Sequence, residues 1–293
     1  MAPRFSGSMT ALVTPFHNGE IDAPALERLV EMQIGGGTTA LVPCGSTGES
    51  ATLSHAEHAE VVRLVVKMAK GRLPVIAGTG SNSTSEAIAL TKAAKEAGAD
   101  AALLISPYYN KPTQDGIYQH YQRIAEVTRF TLIVYNIPGR TGSKIEASTI
   151  ARLAEIDEII GLKESTGSLD EVQEVLRLCG DKIEVYSGDD SLTLPIMAVG
   201  GVGVISVIAN ILPKESAAVA GAIRRGDLVA ARALHFKLLP VVKALFLETN
   251  PIPVKAALSM MGLIRDELRL PLVPMTEQPR AHLRAALQAV GAL

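Results

Sequence analysis

At 293 residues, with 47% hydrophobic and 20% charged, the chain has apolar material for a sizeable core. A formal net charge of −2 lacks the excess of Lys and Arg that nucleic acid or an anionic membrane demands, which sets those binding classes aside. Two cysteines, Cys44 and Cys179, are too few for a disulfide framework or a thiolate metal cluster, and they read as free thiols of a reducing cytoplasm.

Met1 to Phe16 carry no charged start followed by an unbroken apolar run, so no secretory signal is read there. A first strand is predicted over Met9–Val13 and a helix over Ala25–Ile34. The second strand, Ala40–Val42, runs into Gly45-Ser46-Thr47-Gly48-Glu49 and a helix over Ala56–Met68. Two hydroxyls between two glycines could bind an anion through backbone N–H groups, or could simply cap the helix, and the residues alone leave both readings open. His55 and His58 lie close together without an HExxH pattern or a third ligand, so they read as a surface pair and no metal site is expected.

A third strand, Val75–Ala77, precedes a helix over Thr84–Ala97. The fourth, Ala102–Ile105, leads to Pro107-Tyr108-Tyr109-Asn110-Lys111-Pro112, paired phenols in a Pro-bounded loop that can pack beneath it or pass protons, and a helix follows over Gly116–Val127. The fifth, Leu132–Tyr135, ends in a Tyr, and Arg140 sits in the Pro/Gly turn beyond it, ahead of a helix over Ala147–Leu153. A guanidinium so placed can bind a carboxylate bidentately, although a lone loop Arg is more often solvated.

The sixth strand, Ile159–Leu162, ends at Lys163 and precedes a helix over Leu169–Leu178. Burying an ammonium is costly, so a lysine there is pushed toward the neutral amine that adds to ketones; snorkelling, or pairing with Glu164, is the competing reading. The seventh strand, Ile183–Tyr186, opens onto Ser187-Gly188-Asp189-Asp190. The uncharged stretch Ser191–Pro213 is long enough to span a bilayer, but Pro195, Gly200, Gly201, Gly203 and Asn210 break it into a helix, a glycine turn and an eighth strand at Val202–Val207. Those glycines precede a strand, unlike a dinucleotide fingerprint, and no Walker A sequence is present. After Lys214 only helices are predicted: Ala217–Ile223, Leu228–Leu247, Pro253–Met261 and Arg280–Val290.

Apolar strands without strict alternation, each followed by a helix, indicate an α/β fold with strands covered on both faces, and eight such units indicate a (β/α)8 barrel. The expected organisation is a barrel over 1–223 and a C-terminal helical region over 224–293. Catalytic groups should then cluster at the C-terminal ends of the strands, where Lys163 lies.

Gly45–Glu49, Tyr108–Pro112, Tyr135–Gly142, Gly161–Glu164 and Gly200–Val207 stand in the order and spacing of the pyruvate-dependent class I aldolase/lyase family, which the chain resembles from about Gly7 to its C-terminus. The resemblance implies a cofactor-free lyase that condenses pyruvate with L-aspartate 4-semialdehyde through a Schiff base on Lys163, giving 4-hydroxy-tetrahydrodipicolinate in the first committed step of lysine biosynthesis. It implies that Tyr135 shuttles protons and that Thr47 links it to Tyr109 of a neighbouring subunit in a dimer of dimers. Ser46 and Thr47 would hold the pyruvate carboxylate, Arg140 that of the semialdehyde, and Gly188 and the Ile205 carbonyl would line the site. Ser46 stands where the family usually has Thr; the hydroxyl survives, so activity is expected, with pyruvate affinity the property affected. Ser50, Ala51, His55, His58, Asn82, Glu86 and Tyr108 would bind L-lysine as a feedback inhibitor. Other relatives act on 2-keto-3-deoxy sugar acids, sialic acid or hydroxy-oxoglutarate, and Arg140 favours a short aldehyde bearing a carboxylate over these. A non-catalytic barrel that binds lysine or pyruvate as a sensor would be marked by a missing lysine or tyrosine, and all of them are present; a phosphate-binding barrel enzyme using the Gly200–Gly203 turn would take phosphorylated ligands and form no covalent adduct.

Overall fold

A computed structural model describes residues 3–293. Eight parallel strands form one sheet: β1 (Gly7–Ala11), β2 (Ala40–Val42), β3 (Ile76–Gly78), β4 (Ala101–Ile105), β5 (Leu132–Asn136), β6 (Ile159–Glu164), β7 (Glu184–Ser187) and β8 (Gly203–Ser206). Each pairs with the next in sequence, β1 also pairs with β8, and a parallel bridge from Leu41 to Val75 joins β2 to β3. The sheet therefore closes on itself as a (β/α)8 barrel.

Both faces of the strands are covered, which is why their sequences lack polar alternation. Met9, Val42, Ile76, Leu103, Ile133, Tyr135, Tyr186 and Ile205 point into the barrel and pack together. Leu104, Val134, Leu162 and Val185 point outward against the helices. Gly161 makes room for the Tyr186 ring inside the barrel, since a Cβ there would lie 2.7 Å from that ring. The Tyr186 phenol donates to Glu184, whose carboxylate also accepts the backbone N–H of Phe5, so the end opposite the strand C-termini is plugged.

The helices are α1 (Ala23–Gly35), α2 (His55–Ala69), α3 (Thr84–Glu96), α4 (Gln114–Thr128), α5 (Pro138–Thr141), α6 (Ala147–Leu153), α7 (Leu169–Cys179), α8 (Thr193–Ala198), α9 (Pro213–Arg224), α10 (Leu228–Ala244), α11 (Ile252–Met260) and α12 (Glu277–Ala289). Ser54 begins α2 with a capping box: its hydroxyl accepts the Glu57 N–H, while the Glu57 carboxylate accepts the Ser54 N–H at 2.8 Å. Val241 of α10, Val254 and Leu258 of α11, and Leu283 and Leu287 of α12 pack in the same apolar cluster as Leu26, Leu29 and Val62 of α1 and α2. The C-terminal helices thus share the barrel's core. Within Ser191–Pro213 the chain forms α8, a glycine turn and β8, and no helix among the described residues is long and apolar enough to cross a membrane.

Candidate active site at the mouth of the barrel

Lys163 stands beside Tyr135 in the β5–β6 register and beside Tyr186 in the β6–β7 register. Both tyrosines point into the barrel, so the lysine between them does too. It is 6% exposed, and its nitrogen sits 4.1 Å from the centre of the Tyr135 ring. Glu164 takes the opposite face of the strand, accepting from Asn136 Nδ2 at 3.3 Å and from the Thr166 N–H, so the two neighbours in sequence do not pair. Among the described residues two lysines are buried, Lys163 and Lys255. Lys255 lies 2.5 Å from the Glu49 carboxylate, whereas Lys163 has no carboxylate within ion-pair distance.

The nearest acids are at the end of β7. Burial pushes the Asp189 carboxyl above the usual range and the charge of Lys163 pulls it back. Burial raises Asp190 too, and its carboxylate accepts the N–H groups of Val207 and Ile208 at 2.9 Å each, fixing the chain just past β8. A Cβ on Gly188 would stand 1.8 Å from Ser165 Oγ and 3.1 Å from Lys163 Cε, so any larger residue must displace Ser165 and crowds the lysine. Gly188→Ala should displace the Lys163 side chain and lower kcat by about 10²-fold, the scale of small misplacements at a reacting centre. Steady-state kinetics with a melting curve check this, and a folded variant with parental kcat would contradict it.

The glycine turn after β2 is tightly specified. Cys44 and Glu49 both adopt left-handed backbone, φ 56° and 52°, and a Cβ on Gly48 would lie 3.0 Å from both the Cys44 nitrogen and the Leu12 oxygen. Ser46 reaches the cavity wall, while the buried Thr47 hydroxyl accepts from Asn250 Nδ2 at 2.9 Å. The Asn250 carbonyl in turn accepts from Arg140 Nη2 at 2.9 Å. Asn250 thus ties the turn after β2 to the arginine after β5. Its place just before α11 carries no sequence signal for this contact, which spans 203 positions.

A cavity of about 510 Å³ opens here. Ser46, Tyr135, Arg140, Thr141 and Asn250 line it, and so do Ser50, Ala51, His55, His58, Glu86 and Tyr108. Six of the seven residues expected to hold lysine therefore share one cavity wall with part of the expected substrate site. The seventh, Asn82, supports it by donating to the Tyr108 carbonyl at 3.1 Å. His55 Nε2 meets Glu86 at 2.7 Å, and hydrogen bonds from Ser81 and then His55 hold the Glu86 carboxyl below its ordinary range. His58 is not on the surface as expected: it is buried, with Nε2 2.8 Å from the Gly78 carbonyl, and desolvation pushes its pKa down. Tyr109, with φ 71°, is 88% exposed and outside the wall, and no hydrogen bond among the described residues joins Thr47 to Tyr135. Ile205 is fully buried in the barrel interior, opposite Met9. Among the described residues no three His, Cys, Asp or Glu side chains gather to hold a metal ion.

Residues 4–290 match the dihydrodipicolinate synthetase family. The 4-hydroxy-tetrahydrodipicolinate synthase of Syntrophus aciditrophicus is 55% identical over 287 residues, covering 98% of this chain and 99% of its own. Among solved structures, chloride-inhibited dihydrodipicolinate synthase from Acinetobacter baumannii complexed with pyruvate superposes with a TM-score of 0.97 at 49% identity, over 99% of this chain and 100% of that one. The enzyme from Cyanidioschyzon merolae with lysine bound gives 0.96 at 40% identity, over 99% of each chain.

Proposed function

The chain belongs to the dihydrodipicolinate synthetase family, and from that premise we infer that it is a lyase condensing pyruvate with L-aspartate 4-semialdehyde to give 4-hydroxy-tetrahydrodipicolinate, the committed step toward lysine. The observation that carries this reading is Lys163, buried inside the barrel with no carboxylate partner among the described residues. Its amine attacks the pyruvate ketone; loss of water gives the imine, and loss of a methyl proton gives the enamine. The enamine carbon attacks the aldehyde, and ring closure by the substrate's amino nitrogen onto the imine carbon expels the lysine amine. Tyr135, in contact with that amine, carries protons to and from the reacting oxygen and nitrogen, a role worth roughly 10²–10⁴-fold.

Ser46 and Thr47 hold the pyruvate carboxylate, Arg140 holds that of the semialdehyde, and Gly188 and the Ile205 carbonyl complete the wall. Tyr109, held out from the surface of one subunit, completes the relay through Thr47 in the next. We propose that the working enzyme is a dimer of dimers for this reason. Two buried free cysteines suit a cytoplasmic enzyme.

The test is borohydride reduction with and without pyruvate, followed by peptide mass mapping. A single pyruvate adduct on the Lys163 peptide is expected; no adduct, or one on another lysine, would overturn the reading.

L-Lysine is proposed as an inhibitor bound by Ser50, Ala51, His55, His58, Asn82, Glu86 and Tyr108. The Glu86 carboxylate, favoured in its charged form, suits an ammonium. Titration with L-lysine should lower the rate at millimolar effector or below, and Glu86→Ala should shift the curve to higher concentration. A parent enzyme unaffected by lysine would remove this site.

A further inference from the structure

Lys255 projects from α11 into a fully closed space between the C-terminal helices and the turn after β2. Its ammonium donates to Glu49 Oε1 at 2.5 Å and to the Thr14 carbonyl at 3.0 Å, and lies 4.3 Å from the centre of the Phe16 ring. Both side chains of this ion pair are 0% exposed. The second Glu49 oxygen accepts the backbone N–H of Arg269 at 3.1 Å. The Thr14 hydroxyl donates to the Gly48 carbonyl at 2.7 Å, so the same cluster grips the residue before Glu49 as well.

Net stability does not explain such a pair. Desolvating two charges costs about as much as their attraction returns, and apolar replacements of similar volume are often neutral or stabilising. What the pair supplies is direction. Glu49 has left-handed backbone, a conformation unfavourable for a residue with a side chain, and four hydrogen bonds at and around it keep it there. Thr47 lies two residues before Glu49 and Ser46 three, so a rotation at Glu49 re-aims their hydroxyls and amides.

We propose that Glu49 and Lys255 are positioning residues for the substrate turn, through which the C-terminal helical region sets the geometry of Ser46 and Thr47. The proposal rests on the reading of that turn as the seat of the pyruvate carboxylate.

The test compares the full-length parent with Glu49→Gln/Lys255→Met, which removes both charges at nearly constant volume and leaves neither uncompensated. The double variant should melt within a few degrees of the parent, yet its KM for pyruvate should rise by about tenfold or more, with a matching loss in the rate of borohydride-trapped adduct. KM for the aldehyde should change much less. A folded double variant with pyruvate KM within about twofold of the parent overturns the proposal, the expected rise being at least tenfold. Should the double variant not fold, Glu49→Gln alone is measured, and the same rise or its absence decides. A parent enzyme that forms no adduct with pyruvate would instead overturn the functional reading, and the clamp with it.

Discussion

Lys163→Met should abolish the borohydride-trapped pyruvate adduct and lower turnover by a factor on the order of 10⁴ or more, the scale on which loss of a covalent nucleophile acts. The same substitution should leave the melting temperature unchanged or raise it. In the parent, an amine without a carboxylate partner is held at 6% exposure among Tyr135, Tyr186 and the aliphatic interior. Burying that group is unfavourable, and a methionine of similar length removes the polar end while keeping the volume. Gain of stability with loss of activity separates a site retained for chemistry from one retained for folding. Lys255→Met should instead lower the melting temperature. It leaves the Glu49 carboxylate buried alone, at a cost of about 3–5 kcal/mol. Differential scanning calorimetry on the two variants, with kinetics on the same samples, reads the contrast. Retained turnover in Lys163→Met would end the Schiff-base account.

The barrel was legible in the sequence because its strands are buried on both faces. Continuous apolar runs such as Ala40–Val42 and Leu132–Tyr135 stand where β2 and β5 form, and the helical spacing over Ala147–Leu153 gives α6 with the same bounds. The position of Lys163 was legible for the same reason: a charge closing an apolar strand has few places to go. Its orientation was not, since nothing local says that Glu164 turns outward to Asn136. Long-range polar contacts were invisible. Asn250, Lys255 and Arg269 are ordinary residues of a helical extension until the fold carries them onto Thr47 and Glu49. His58 was misplaced on the surface because its burial depends on β3 supplying the Gly78 carbonyl beside it.

Arg140→Ala should separate the two substrates. One Nη2 donor of the guanidinium bonds the Asn250 carbonyl and the side chain also lines the cavity, and no other hydrogen bond among the described residues takes its remaining donors, which can meet an anionic group. A hydrogen bond to a charged group contributes about 1.5–3 kcal/mol. Losing it should therefore lower kcat/KM for L-aspartate 4-semialdehyde by roughly 10–10²-fold, and by more if the contact is bidentate. Imine formation with pyruvate should change little, since the amine that forms it is held by β6 beside Tyr135, while the Arg140 guanidinium bonds the Asn250 carbonyl. Arg140→Lys should recover only part of the loss, because a point charge cannot bond the Asn250 carbonyl and a carboxylate in one plane. Adduct trapping and steady-state kinetics on the same preparation give both numbers. Equal losses in the two would mean that Arg140 holds the turn through Asn250 and not the aldehyde, and would reopen the choice among keto-acid aldolases with other acceptors.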